Sequence, residues 1–268
     1  MSIKFIPRPS AERGQANHGW LRTFHTFSFA MYSDYSHDQW GSLRVLNEDR
    51  VDAYTGFGTH GHREFEIFSY VVSGELEHGD SMGNREVLKR GDLQMTSAGT
   101  GIRHSEKAHG KKEVHFLQIW SLPSTRGLTP QYFTRHFTDE DKTDKWAHIV
   151  APVGTEGVVE KREANGPAPV HSPLSLYASL ISPSTTLSHT LLKTSTGQPS
   201  KAYIHLVQTS GYNPRQPDGA QITVSGSDGS SLELREGDGV YISGDAGQSL
   251  TVHNSGDRVA EVLLFDVE

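Results

Sequence analysis

Apolar positions along this chain alternate with polar ones in short runs, and each run is closed by Gly, Asp, Asn or Pro. WLRTFHTFSFAMY alternates aromatic and polar residues, and EFEIFSYVVSGELEH, REVLKRGDLQMTSAG and EVHFLQIWSLP keep the same rhythm. A period of two is that of a strand with one face buried. Short strands at regular spacing with turn signals between them predict an all-β sandwich or barrel. GSLRVLNEDRVDAYTGFG reads as a strand, a turn and a short strand ending in glycines. The stretch from Ser121 to Gly157 is richer in Pro, Gly and charge and reads as a connection between domains. KREANGPAPVHSP reads as an exposed loop.

The pattern then repeats. EVLKRGDLQMTSAGTGIRHSE and LELREGDGVYISGDAGQSLTVHNS each run strand, charged pair, Gly-Asp, strand, glycine turn, histidine. Gly91-Asp92 matches Gly237-Asp238, and Gly74 matches Gly211. Counting back the same distance places His62 opposite Pro199 and His60 opposite Gly197. The expectation is two related β-barrels, residues 1–135 and 136–268, of which the first alone carries the histidine pair.

Composition narrows the function classes. The 27 glycines and 12 prolines favour turns and short strands over long helices. With no cysteine, disulfides, thiolate nucleophiles, Cys-ligated zinc and iron–sulfur clusters are excluded. A net charge of -7 argues against nucleic acid and against anionic membranes as partners. The N-terminus MSIKFIPRPSAERG has no apolar signal core, and no run approaches the roughly 18 apolar residues of a membrane span. A soluble intracellular protein is expected, in the cytoplasm and with nuclear entry left open.

The chemistry concentrates in GFGTHGHREF and GIRHSE. On a strand, His60 and His62 share one face, and Glu64 and Glu66 share it too if the strand is regular. His104 and Glu106 are again one residue apart. Buried imidazoles need partners, and a metal ion supplies one. Three imidazoles and a carboxylate suit divalent iron, copper, nickel, manganese, cobalt or zinc and leave coordination positions open. Glu66 reads as a ligand, as a hydrogen-bond partner of a ligating histidine, or as a wall acid. Phe57, Phe65 and Phe68 line a pocket or pack the core. His18 and His25 line the pocket or, as the favoured reading, serve in packing or strand caps, while His78 is assigned to a loop and His115 to the core. His205 and His253 lack company for a metal, and Asp92 and Asp238 read as turn formers.

ANHGWLRTFHTFSFAMY, the stretch from Gly56 to Glu106, and LQIWSLP resemble the pirin family of bicupins, densely over residues 13 to about 123. The similarity is greatest to bacterial-type pirins described as quercetin 2,3-dioxygenases. The resemblance implies two tandem cupin domains, with one divalent metal in the N-terminal one, Fe(II) first among the candidates. It implies His60, His62, His104 and Glu106 as ligands. Gly61 stands where proline is common in the family. The activity implied is opening of a flavonol such as quercetin by O2 with release of carbon monoxide. Glu106 would take the flavonol's proton, helped by Glu66. The competing expectation, drawn from animal pirins, is a non-catalytic, iron-binding, redox-sensing regulator that binds transcription factors. A monomer is expected in either case.

Overall fold

The computed structural model describes residues 2–214 and 219–268. Among the described residues nearly everything regular is strand, and helix is confined to Ser10–Glu12 and Asp139–Lys142. The all-β expectation holds. Among the described residues no helix is long and apolar enough to cross a membrane.

The chain divides into two compact units that are not contiguous in sequence. One comprises Gly14–Thr138 and Ile149–Pro173; the other comprises Met1–Arg13, Asp139–His148 and Leu174–Glu268. This differs from halves cut at residue 135. The strand Lys4–Arg8 pairs antiparallel with Gly239–Gly244, which assigns the N-terminus to the later unit. Pairing at that sequence separation leaves no local signature. KREANGPAPVHSP is also only partly a loop. Its Ala168–Val170 is a buried strand in parallel register with residues 150–152.

In the earlier unit, a large sheet runs Gln131–His136, Asp92–Ser97, Glu66–Ser73, Val114–Ser121, Leu43–Val51, Leu21–His25, Gly14–Asn17. A four-stranded sheet runs Gly56–His62, Ile102–Ala108, Glu75–Asp80, Arg85–Lys89. One end of the interior is an apolar plug of Leu21, Val51, Val71, Leu76, Leu88, Ala108, Val114 and Phe116. Phe57 and Trp20 pack against it and meet each other edge to face. One pleat further along, the inward positions turn polar. Thr134, Gln94, Ser69, Gln118, Asn47 and His25 stand directly opposite one another on six neighbouring strands.

The later unit repeats this plan. Its four-stranded sheet runs Thr186–Thr190, Ser249–Asn254, Gln221–Gly226, Ser231–Arg235. Matching the two ladders register by register puts His189 in the place of His60. Leu250 stands for His104, Val252 for Glu106 and Val224 for His78. The polar row becomes Val240, Ile204, Leu264 and Tyr177 in place of Gln94, Ser69, Gln118 and Asn47. Thus the strand equivalent to Gly56–His62 is Thr186–Thr190, and the count that set His60 and His62 opposite Gly197 and Pro199 is corrected. Only residues 63–65 separate the equivalent strands in the first unit; residues 191–199 do so in the second. That longer connection displaces any count made back from the glycine turn.

Candidate metal centre

Strand pairing assembles the site. Gly56–His62 runs antiparallel to Ile102–Ala108, with His60 opposite His104, and the register shifts between His104 and Glu106. The strands approach closely at that shift. A Cβ on Gly56 would lie 2.3 Å from the Glu106 carbonyl oxygen, so only glycine fits there. At Gly61 a Cβ would meet nothing nearer than 3.7 Å, and that position keeps its ladder partner Arg103. Along Ile102–Ala108 the even-numbered residues are buried while Arg103 and Lys107 are exposed, as alternation requires.

The rings of His60, His62 and His104 lie 4.6 to 4.7 Å apart, centroid to centroid. One nitrogen from each falls within 4.8 Å of the others. His60 Nδ1 is 2.8 Å from the Gly58 carbonyl oxygen. Donation there leaves the Nε2 lone pair free, the usual way a ligating imidazole is oriented. That Nε2 lies 3.1 Å from His104 Nε2. Two nitrogens bound at about 2.0–2.1 Å to one ion stand about 3.0–3.4 Å apart, so the spacing fits a shared cation. His62 Nε2 is buried without a hydrogen-bond partner, an unmet need that a metal answers.

Electrostatics agrees with the geometry. Burial, then the neighbouring His104 and His60, lower the His62 pKa to about 4, and burial also lowers that of His104. Both rings are therefore neutral near pH 7, with lone pairs to offer. A prediction follows for the metal-stripped protein. Between about pH 6.5 and 4 the unfolded chain binds a proton on His62 that the folded chain does not, so stability falls as pH falls through that window. Melting of metal-free protein at about pH 7 and about pH 5 should show the lower temperature at the acid value, with the difference reduced in His62→Leu.

Glu106 sits one layer deeper. Ser69 Oγ donates to its Oε1 at 2.7 Å, and Gln118 Nε2 lies 3.5 Å from its Oε2. It does not join the three-histidine cluster but groups with His104 and His78. The predicted ligands are thus neighbours, arranged as a histidine triad above a buried carboxylate. Beside His62 stands Trp120 at 4.8 Å, itself packed by Phe65 at 5.1 Å and Phe29 at 5.5 Å. An open groove of about 710 Å³ borders His62 and is flanked by Arg63 and Arg103.

Residues 8–121 match the family model Pirin. A quercetin 2,3-dioxygenase of Escherichia coli K12 is 44% identical over 171 residues, covering 63% of this chain and 69% of the relative. The chain belongs to the pirin family. A pirin-like protein of Caulobacter vibrioides is 38% identical over 144 residues, covering 54% of this chain and 62% of the relative. The crystal structure of YhhW from E. coli superposes with TM-score 0.80 at 33% identity, covering 99% of this chain and 98% of that one. The structure described as bacterial pirin YhhW in complex with nickel(II) gives TM-score 0.80 at 34% identity, covering 98% and 99%. The two tandem cupin domains expected of a pirin are the two units described above.

Against the pirin expectations, Glu66 is the clear departure. It is fully buried, but it accepts hydrogen bonds from Ser97 Oγ at 2.6 Å and the His171 backbone N–H at 3.1 Å. Its strand neighbours Ile67 and Ser69 share the opposite face, and Ser69 is the residue that touches Glu106. Burial raises the Glu66 pKa against those hydrogen bonds. It is a wall acid and has no contact with the histidine triad. Parity failed because the strand stops at His62. Glu64 turns with φ 57° and its N–H donates to the Gly99 carbonyl, so the next strand starts on a new phase.

Other assignments sort by position. Of the three phenylalanines only Phe65 adjoins the site, through Trp120. Phe57 belongs to the plug, and Phe68 lies on the Glu66 face of its strand. His18 is exposed, while His25 is buried with Nδ1 2.9 Å from Asn47 Oδ1. His115 is buried against Glu48 at 3.0 Å. In the later unit His189 pairs with Asp266 at 2.8 Å, and His253 with Thr186 at 2.9 Å. Asp92 and Asp238 each accept a backbone N–H three residues back, from Lys89 and Arg235, as turn formers do. His78 is no loop residue; it is fully buried in strand Glu75–Asp80, opposite Glu106. Ser69, Gln118 and Trp120 also belong to the site, and no motif in the sequence singles them out. The run Leu76, His78, Asp80 carried a readable signal, since period two puts His78 on the face of Leu76.

Proposed function

We propose that this chain is a metal-dependent dioxygenase that opens flavonols such as quercetin with O2 and releases carbon monoxide, with Fe(II) as its ion. The observation that carries the reading is the convergence of three imidazoles, two of them held neutral by burial, beside an aromatic wall and an open groove. A divalent ion held by His60, His62, His104 and Glu106 would supply Lewis acidity toward the flavonol hydroxyl. The protein's own contribution is placement. Trp120, packed on His62 and backed by Phe65 and Phe29, would give a flat aromatic substrate a ring to stack against. Arg63 and Arg103 border the groove and would favour the anionic form of the substrate. Glu106 accepts the hydroxyl proton at a carboxylate oxygen, and Ser69 and Gln118 set the orientation of that carboxylate.

The test is aerobic incubation of the iron-loaded protein with quercetin, following flavonol loss and trapping carbon monoxide. Equal yields of carbon monoxide and of quercetin consumed support the reading; quercetin loss without carbon monoxide refutes it. Ser69→Ala should lower kcat by roughly tenfold to a hundredfold with little change in KM, because it unfixes a proton acceptor and leaves the groove intact.

A further inference from the structure

We propose that the substrate carries a fixed oxyanion, a carboxylate or a sulfate, separate from the oxygen that meets the metal. The groove beside His62 is the subsite that selects it, through Arg63 and Arg103. The inference deepens the reading of this centre as a dioxygenase of phenolic compounds and rests on it.

The faces of the strands set the geometry. Along Ile102–Ala108, His104 is buried and Arg103 exposed, so the Arg103 side chain leaves the sheet on the side away from the triad. Its ladder partner is Gly61, which alternates with His60 and His62. The groove of about 710 Å³ takes in both positions, and His62 is the one triad member that borders it. Arg63 reaches the same rim, since a Cβ on Gly101 would come within 3.4 Å of its Nε. Charge placed here serves a part of the ligand that lies outside the metal mouth.

The side chains of the groove are donors. Among the described residues, neither Arg63 nor Arg103 makes a side-chain hydrogen bond or an ion pair. Ser81 Oγ accepts from the Arg103 backbone N–H at 3.1 Å, which leaves its O–H to give. Thr100 adds a second hydroxyl with no partner among the described residues. No carboxylate among them lines the groove. The acids nearest in the chain are engaged elsewhere. Glu64 accepts the Gly127 N–H at 3.1 Å. Asp80 is buried and accepts from the Met82 N–H at 2.9 Å and from the Asn84 N–H at 3.0 Å and Nδ2 at 2.8 Å. Two guanidinium forks and two hydroxyls with no acid between them suit anionic oxygens, which arginine takes by paired N–H donors. In a chain of net charge -7, these two cations are left unneutralised at one place.

The room in the groove agrees. Gly61 does not have a left-handed backbone, and a Cβ there would touch nothing nearer than the Ile102 carbonyl oxygen at 3.7 Å. Neither strain nor crowding demands glycine, so its missing side chain is space for a ligand. On the matching rung of the second barrel, Thr190 faces Ser249 where Gly61 faces Arg103. The architecture therefore requires neither the glycine nor the arginine.

The experiment compares three 3-hydroxyflavones that differ only at the 4′ position: carboxylate, sulfonate in place of a sulfate, and neutral carboxamide. Iron-loaded wild type should use at least one anion with kcat/KM at least about tenfold above the carboxamide, mostly through KM, the scale of a charge-assisted hydrogen bond. Whichever anion leads tells carboxylate from sulfate. In Arg63→Gln/Arg103→Gln the ratio should fall to about one. Lys107→Gln removes an exposed cation of the same strand that does not line the groove, and should keep the ratio. No preference for either anion in wild type overturns the proposal, as does a preference that survives in the double variant or is lost equally in Lys107→Gln. If none of the three is turned over, the dioxygenase reading fails, and the Kd values of the same compounds, measured by calorimetry without O2, decide for the subsite. Tighter binding of an anion, lost in the double variant, supports it; equal Kd values overturn it.

Discussion

A His104→Leu chain is expected to lose metal binding by more than about a hundredfold, the upper end of what removing even a supporting partner costs. His104 belongs to both groups of converging donors, with His60 and His62 and with His78 and Glu106, so its removal takes a nitrogen from each. No other residue can stand in, because its ladder neighbours in the sheet are His60 and Asp80, each already engaged. The fold should survive. Leu250 occupies the matching place in the second barrel and is fully buried there, so this architecture accepts leucine at that site. Elemental analysis after dialysis checks the loss, and thermal melting checks the fold. A variant that keeps one metal per chain contradicts the account of the centre.

Phe116→Ala should destabilise the first barrel by ~3–5 kcal/mol, the usual cost of emptying a fully buried aromatic site. Phe116 has no exposed surface and closes the apolar plug with Val71, Leu76, Leu88 and Val114. These neighbours sit on paired strands of two sheets, so they cannot collapse onto the void without breaking ladder register. A matching substitution on the open rim, such as Val87→Ala at a residue 44% exposed, should cost less than about 1 kcal/mol. Denaturant titration of the two variants, read on the first unit's tryptophans, gives the comparison. Equal midpoints would show that the plug is not what holds this barrel.

Much of this molecule is legible in its sequence because strands advertise their faces. The alternation in EFEIFSYVVSG and EVHFLQIWSLP gives the strands, the Gly-Asp repeats give the duplication, and the two His-x-His and His-x-Glu pairs give the centre. The errors arose where phase or distance was lost. Parity carried Glu66 onto the histidine face because the turn at residues 63–65 is invisible to counting. The connection 191–199 displaced the match to the second barrel and hid His189 as the counterpart of His60. The pairing of Lys4–Arg8 with Gly239–Gly244 joins the chain's ends, and no local pattern reports that. The Gly-Asp that follows His78 reads as a turn, yet Gly79 and Asp80 continue the strand and Asp80 is the carboxylate that His78 Nε2 faces.

The most direct test of the central claim is metal content. The protein should be purified without added metal, analysed for bound elements, then stripped and titrated with Fe(II) under anaerobic conditions. The account predicts close to one divalent ion per chain, restored by titration and absent from His104→Leu. A chain that carries no metal and takes none up would contradict it, and would leave His60, His62 and His104 facing one another without a reason.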